Sequence, residues 1–283
     1  MRITETAIPG LLIIDLDVHG DNRGWFKENW QREKLTGLAP ELASFQPVQN
    51  NISFNHAGAT RGLHAEPWDK LISVAQGKIF GAWCDLREGS ESFGEVITHE
   101  IGPETAVFVP RGVANGFQAL EDTSYSYLVN EHWSSEARYA AVNLDIVDWP
   151  MVPTEVSEKD KQHPSLEEVS PMPARRILVT GANGQLGRAL KRLLGDAEFC
   201  SHADFDITNP PERNWKQYST IINCAAYNDV NGAENDRAAA WAVNAEGPAK
   251  LARIAAENQI TLVHVSSDYI FDGANAVSYT HLT

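Results

Sequence analysis

Residues 61–70 read Arg-Gly-Leu-His-Ala-Glu-Pro-Trp-Asp-Lys, which sets two cations, Arg61 and Lys70, and two carboxylates, Glu66 and Asp69, around one imidazole, His64. An imidazole changes charge near neutral pH, so His64 is the natural general base of the group. The forked guanidinium of Arg61 suits a phosphate. A metal centre is not expected. His64-Ala65-Glu66 offers a single imidazole, and His56, His99, His132, His163, His202, His264 and His281 have no ligand-like spacing and read as structural or surface groups. A second segment able to do chemistry is Gly181-Ala182-Asn183-Gly184-Gln185-Leu186-Gly187, directly after the apolar run 176–180. Small residues three apart between a strand and a helix let the backbone approach a pyrophosphate.

The elements that would hold these groups differ between the two ends of the chain. Short runs rich in β-branched and aromatic residues at 11–17, 48–54, 70–76, 78–85, 95–101, 106–109 and 124–129 predict strands. Turn clusters part them and no helix is predicted between them, which points to an antiparallel barrel or sandwich. Five prolines between Pro150 and Pro173 mark a change of character, read as an ordered tail and then a linker at 171–174. From Arg175 strands at 176–180, near 198–201, 220–224 and 261–266 alternate with helices at 188–194 and 236–257. That rhythm predicts βαβ units and a parallel sheet. The expected organisation is a β domain over 1–170 and an α/β dinucleotide-binding domain over 175–283.

Length and composition are consistent with this division. The 283 residues allow two domains, and 43% hydrophobic with 22% charged residues is ordinary for a globular protein. The net charge of −15, concentrated in the first 150 residues, argues against nucleic acid as a partner. Cys84, Cys200 and Cys224 are too few and too scattered for a disulfide framework. No apolar run is long enough to span a bilayer and Met1-Arg2-Ile3-Thr4-Glu5 does not open a signal peptide, so a cytoplasmic location without membrane contact is expected.

The first half resembles the dTDP-4-dehydrorhamnose 3,5-epimerases, a cupin family. The resemblance rests on Arg61-Gly62-Leu63-His64, on the segments 19–28 (His-Gly-Asp-Asn-Arg-Gly-Trp-Phe-Lys-Glu), 85–90 (Asp-Leu-Arg-Glu-Gly-Ser) and 108–117 (Phe-Val-Pro-Arg-Gly-Val-Ala-Asn-Gly-Phe), and on Val156-Ser157-Glu158-Lys159-Asp160. It implies an all-β double-stranded β-helix (jelly roll) that inverts the two carbons beside the ketone of a dTDP-4-keto-6-deoxy sugar, with no cofactor. By the same resemblance His64 is the base and Asp160 orients it. Lys70 supplies a cation at the enolate oxygen, and Tyr127 protonates the opposite face. Arg23 and Arg61 are implied for the diphosphate, and Trp25, Phe26, Glu28, Asn115 and Trp133 for the substrate pocket. Asn115 stands where Ala-His-Gly-Phe is the commoner pattern, so a second active-site imidazole is not expected. Trp133 replaces a frequent tyrosine. The resemblance also implies a homodimer.

The second half resembles the extended short-chain dehydrogenases, and within them the dTDP-4-dehydrorhamnose reductases. Residues 177–187, Asp206-Ile207-Thr208, Asn223-Cys224-Ala225-Ala226-Tyr227 and 265–273 carry that likeness. It implies NADPH or NADH held by Gly181, Asn183, Gly184, Gln185, Leu186 and Gly187, with Asp206 and Ile207 by the adenine and Ala225, Ala226 and Tyr227 by the nicotinamide ribose. Ser267 is the implied catalytic hydroxyl. No Tyr-x-x-x-Lys follows Gly273, the last seven residues do not resemble the family's continuation, and this part is expected to be an incomplete Rossmann domain inactive in reduction. The expected whole is an epimerase joined to a reductase segment of one pathway. A sugar-nucleotide or dinucleotide sensor with a non-catalytic second half, and a metal-dependent cupin oxygenase, stay open as alternatives. Asp204 and Asp206 are both candidates for the acid that would favour NAD.

Overall fold

The structure is a computed structural model that describes residues 1–134 and 137–266. The chain divides into two compact units, Met1–Ala174 and Arg175–Thr283.

The first unit contains β1 (Arg2–Glu5), β2 (Leu12–Asp15), β3 (Val18–Asp21), β4 (Gly24–Lys27), α1 (Arg32–Leu38), β5 (Gln49–Asn55), β6 (Thr60–Ala65), β7 (Lys70–Gln76), β8 (Ile79–Asp85), β9 (Val96–Ile101), β10 (Thr105–Val109), β11 (Val113–Ala119), β12 (Thr123–Val129) and β13 (Ala140–Ala141). Two antiparallel sheets form, ordered β1-β2-β10-β7-β12-β5 and β13-β6-β11-β8-β9. Side chains alternate between sheet faces at every residue, and here both faces are buried. Ile72, Val74, Trp83, Val107 and Phe117 meet between the sheets. Their neighbours Leu71 and Phe108 point outward under Leu35, Leu42 and Phe45 of α1 and the 3-10 turn Pro40–Ser44. Ala82, Cys84 and Ala114 point outward under Val142, Val147, Val169 and Met172 of the C-terminal tail. Burial on both sides explains why these strands read as continuous apolar runs.

The tail is bound further along than its prolines suggest. Met172 is buried, donates its N–H to Leu86 O at 2.7 Å and accepts from Glu88 N–H at 2.9 Å. Pro173 O accepts from Arg111 Nη1 at 2.8 Å. Most of 171–174, read as linker, is therefore packed on the β unit, because Leu86, Glu88 and Arg111 offer it hydrogen-bond partners.

Asp85, from one of the segments that carry the resemblance, has a structural setting. Its buried carboxylate accepts from Arg87 Nε and Nη2, each at 2.8 Å, from Ser90 Oγ at 2.7 Å and from Ser92 Oγ at 2.6 Å. Burial alone would raise its pKa, but the Arg87, Ser90 and Ser92 hydrogen bonds outweigh it and bring it down to about 2. The unfolded carboxyl titrates near 3.9, so the anion contributes about 2 kcal/mol above that pH, and the contribution is lost as pH falls from 4 towards 2. Asp85→Asn is expected to lower stability by about 2–4 kcal/mol at pH 7 and to flatten that acid dependence, read by urea unfolding at pH 7, 4 and 3.

The second unit has a parallel sheet ordered β15-β14-β16-β17, where β14 is Arg176–Thr180, β15 Glu198–Cys200, β16 Tyr218–Asn223 and β17 Thr261–His264. α2 (Gln185–Leu190) starts three residues before the predicted helix, inside the glycine segment. The long helix predicted over 236–257 is divided into Arg237–Trp241, a π turn Ala242–Glu246 and Gly247–Glu257. Pro248 has no N–H to give to the preceding turn, so it starts a helix here and does not continue one.

Candidate active site

His64 lies on β6, which pairs with β11 so that His64 faces Asn115 and with β13 so that it faces Ala141. Two residues earlier Gly62 has φ +119°, and a Cβ there would stand 2.5 Å from Gly116 Cα. Glycine alone allows this contact, which presses β6 onto β11 just before the histidine.

Asp160 approaches from the tail, at the start of the 3-10 turn Asp160–Gln162. Its N–H donates to Ser157 Oγ at 3.1 Å. Oδ1 lies 2.8 Å from His64 Nε2, and Oδ2 accepts from Gly62 N–H at 3.2 Å. Burial would raise the Asp160 pKa, yet the His64 hydrogen bond and charge and the Gly62 N–H hold it below the ordinary carboxylate range. Asp160 therefore stays anionic and accepts a proton-bearing Nε2, which leaves Nδ1 as the basic nitrogen of the neutral imidazole. Asp160→Asn keeps the shape but favours the other tautomer. We expect it to slow proton abstraction about 10²–10⁴-fold with the fold unchanged, read as deuterium uptake by substrate beside near-ultraviolet circular dichroism.

From its spacing alone His163 reads as a structural or surface group. It is neither a surface group nor remote: its side chain is only 7% exposed and its ring stands 5.0 Å from that of His64 at 81°. Residues three apart share one side of a 3-10 turn, so the same turn that places Asp160 also places His163. A second imidazole thus reaches the site although Asn115 occupies the position where one is more common. The donor atoms of His64, Asp160 and His163 gather within 4.8 Å. The 2.8 Å between His64 and Asp160 is a hydrogen-bond distance, whereas two ligands on one tetrahedral zinc stand roughly 3.3 Å apart. The cluster fits a proton-handling pair better than a metal cage.

Lys70 opens β7 and is buried, its ammonium paired with the Glu66 carboxylate and lying 5.0 Å from the centre of the Tyr127 ring. Glu66 was given no role from sequence, although its spacing of four from Lys70 is visible there. Tyr127, on β12, is half-buried. Burial and the Glu66 charge raise its pKa against the opposing effects of Arg61 and of a hydrogen bond with Asn51, so the phenol keeps its proton at neutral pH. Asn115 Nδ2 donates to Tyr125 Oη at 3.3 Å, and the Tyr125 ring stacks on Phe117 with 4.3 Å between centres.

These groups line two cavities. One, of about 650 Å³, is lined among others by Arg61, His64, Glu66, Lys70, Asn115, Tyr127 and Asp160. The other, of about 610 Å³, shares Asn51, His64, Glu66, Tyr127 and Lys159 with the first and adds Trp133, Tyr139 and His163. The volumes suit a drug-sized or larger ligand, and His64 and Tyr127 stand where the two meet. Arg61 Nε donates to Asn55 Oδ1 at 2.8 Å. Lys159 adds a cation to both cavities that had no assigned role.

Arg23, Trp25, Phe26 and Glu28 are not lining residues of either cavity. They belong to the β3–β4 hairpin, a separate two-stranded sheet, and the start of the segment that follows it. Arg23 pairs with Asp21, Glu28 pairs with Lys34, and Phe26 is 65% exposed. The expected local cationic pocket therefore holds Arg61 and Lys70, without Arg23 of the same protomer.

In the second unit, loops at the carboxyl ends of the parallel strands come together, the usual ligand position in such sheets. Gly181 has φ +68°, and a Cβ on it would stand 2.5 Å from Ala225 N. A Cβ on Gly187 would stand 2.6 Å from Gly181 O. Ala182, Asn183, Gly184, Gln185 and Leu186 fill the turn between β14 and the body of α2, with Asn183 to Leu186 open to solvent. Tyr227 is held by two hydrogen bonds with Asn244, from its N–H at 2.8 Å and to its carbonyl at 3.1 Å, and Ala226 lies beside it in the same loop. Asp206 accepts from Thr208 N–H and Oγ1, both at 2.8 Å, and Asp204 accepts from Ser201 N–H and Oγ. Ile207 is buried against Gly247, so its side chain serves the core. Ser267 lies outside the described residues.

Each unit matches a known family. A family model described as dTDP-4-dehydrorhamnose 3,5-epimerase matches residues 5–168. The chain belongs to this epimerase family. A second model, RmlD substrate binding domain, matches residues 175–282. The chain is 53% identical over 176 residues to the RmlC homolog of Streptococcus pyogenes, covering 58% of this chain and 89% of that one. It is 45% identical over 106 residues to the dTDP-4-dehydrorhamnose reductase of Mycobacterium tuberculosis, covering 35% of each. Among solved structures, RmlC from Streptococcus suis, described in complex with dTDP-D-xylose, is similar at 49% identity and TM-score 0.57, covering 61% of this chain and 94% of that one. The first unit is thus an RmlC-like cupin and the second a Rossmann-like unit that spans about a third of its reductase relative. Among the described residues no helix is long and apolar enough to cross a membrane.

Proposed function

We propose that this chain catalyses the 3,5-epimerisation of dTDP-4-dehydro-6-deoxy-D-glucose. The carrying observation is the His64–Asp160 pair opening into the cavity that Lys70 and Tyr127 also line. C3 and C5 both flank the C4 ketone, so their protons are acidic. His64 Nδ1 takes one proton, the C–H electron pair moves to the ketone oxygen, and Lys70 stabilises the enolate there. Asp160 holds the resulting imidazolium. Tyr127 then gives its phenolic proton to the opposite face, the ketone re-forms, and Tyr127 and His64 re-equilibrate their protons with solvent. Repetition at the second carbon completes the inversion. Arg61 and Lys159 are the cations we assign to the diphosphate. Incubation of the protein with the keto sugar, followed by proton NMR, is expected to give the 4-dehydro-L-rhamnose configuration. Unchanged substrate would refute the assignment.

We further infer a cytoplasmic homodimer. Phe26 and Trp25 on the hairpin, and Ile52 and Phe54 on the edge strand β5, are exposed apolar side chains that a second copy would cover. In this reading the hairpin carries Arg23, Phe26 and Glu28 to the cavity of the partner. The three free cysteines suit a reducing compartment.

For residues 175–283 the reading is a unit that binds NADPH or NADH. The close approaches at Gly181 and Gly187 leave backbone where larger residues would intrude, and Cys224 and Ala225 lie against Gly181. Ala226 and Tyr227 continue that loop. In a whole reductase the dinucleotide would supply hydride for 4-keto reduction; for this unit, which spans about a third of the reductase relative, we propose binding alone. Quenching or enhancement of NADPH and NADH fluorescence on titration with the full chain tests the binding.

A further inference from the structure

We propose that His163 is a positioning residue for the base: its ring, set across the His64 ring, keeps that imidazole turned with Nε2 on Asp160. This rests on the epimerase reading above and adds to it a residue with no assigned role.

Without a second contact His64 would have considerable freedom. Its side chain is 35% exposed and stands at the meeting point of two cavities, so ordinary core packing does not enclose it. One hydrogen bond to Asp160 sets where Nε2 goes but permits the ring to swing about that contact. The His163 ring removes the swing. It stands 5.0 Å from the His64 ring at 81°, an edge-to-face contact that defines the plane of the base. His163 is itself firmly held. Its side chain is 7% exposed, its N–H is directed at Asp160 O, and the following residue, Pro164, accepts from Asn143 N–H at 2.9 Å. The short turn that carries Asp160 therefore delivers both the electrostatic partner and the mechanical stop from a single piece of backbone.

Charge is consistent with that role. The groups facing His163 are His64 from β6, Asp160 and Lys159 from its own turn, and the Gly62 backbone. Burial and the His64 charge lower the His163 pKa more than Asp160 and Gly62 raise it, so His163 stays neutral and does not compete for the carboxylate. Its Nε2 is 3.8 Å from Asp160 Oδ1, beyond hydrogen-bond reach, and its buried Nδ1 has no hydrogen-bond partner. The contribution is that of a packed ring and not of a second base.

Two substitutions separate a ring that positions the base from a second base. His163→Val removes the flat ring and His163→Phe keeps it while removing both nitrogens. Solvent-deuterium uptake by the keto sugar is measured for the full chain and both variants, with near-ultraviolet circular dichroism confirming the fold. His163→Val is expected to lower kcat about 10- to 100-fold, the effect of a misplaced catalytic group, with KM within about 3-fold of the parent. His163→Phe is expected to restore kcat to within about 3-fold. A Phe variant as impaired as Val would overturn the proposal, as would a folded Val variant with the parent kcat. Should Val fail to fold, the Phe variant alone decides: parent-like kcat supports the ring role and loss of kcat overturns it. An unmodified chain that takes up no deuterium would instead remove the epimerase reading itself.

Discussion

Replacing His64 with alanine is expected to lower deuterium uptake into the keto sugar at least about 10³-fold, the largest effect of any single change in this chain. The alternative bases near the substrate are poorly suited to take over. Asp160 is buried and tied to Gly62 N–H, and its pKa lies below the ordinary range, so it is a weak base. Glu66 is committed to Lys70 in an ion pair. The fold should survive, since His64 is partly exposed and β6 is held by backbone pairing to β11 and β13. Binding should survive as well, because the cations assigned to the diphosphate are untouched. The signature is therefore a collapse of kcat with a nearly unchanged Kd for a dTDP-sugar, measured by calorimetry. A His64→Ala protein that still exchanges at a tenth of the parent rate would place the base elsewhere.

The second large effect separates proton removal from inversion. Tyr127→Phe deletes only the phenolic oxygen and keeps the ring beside the Lys70 ammonium. The base is intact, so deuterium should still enter the substrate, slowed by no more than about 10-fold. Delivery to the opposite face should fall at least about 10²-fold, the usual contribution of a positioned proton donor. The exchanged sugar should accordingly keep its original configuration, readable by NMR of the recovered substrate. Equal losses in exchange and inversion would argue that Tyr127 serves the enolate and not its reprotonation. Alkaline pH should reproduce part of this phenotype only well above neutrality. Burial and the neighbouring Glu66 carboxylate raise the Tyr127 pKa, so its proton is lost later than from a free phenol.

Much of the architecture was legible because burial on both faces writes itself as apolar runs. The strand at 70–76 was read with the bounds it has, and the runs at 78–85 and 124–129 lie within a residue of β8 and β12. Two strands that matter most for the site were not read from the pattern. β6 carries Gly62 two residues before His64, and β11 carries Asn115 and Gly116; glycine and asparagine weaken strand propensity. Both are present because two backbones must pass closely there, a tertiary demand without a local signature. The same limit hid His163. Its spacing from Asp160 is plain in the sequence, but only the 3-10 turn turns that spacing into a shared face. Glu66 was similarly visible as a neighbour of Lys70, and what could not be seen was that both would be buried together. The hairpin residues Arg23, Phe26 and Glu28 show the converse. Their types suit a nucleotide pocket, yet none of them lines either of the two cavities.

The most direct test of the central claim is mass spectrometry of dTDP-4-dehydro-6-deoxy-D-glucose incubated with the full chain in heavy water. A base and a facing acid at one ketone predict deuterium at two carbons, C3 and C5, with both inverted in the product. A sugar recovered without deuterium at either carbon would contradict it.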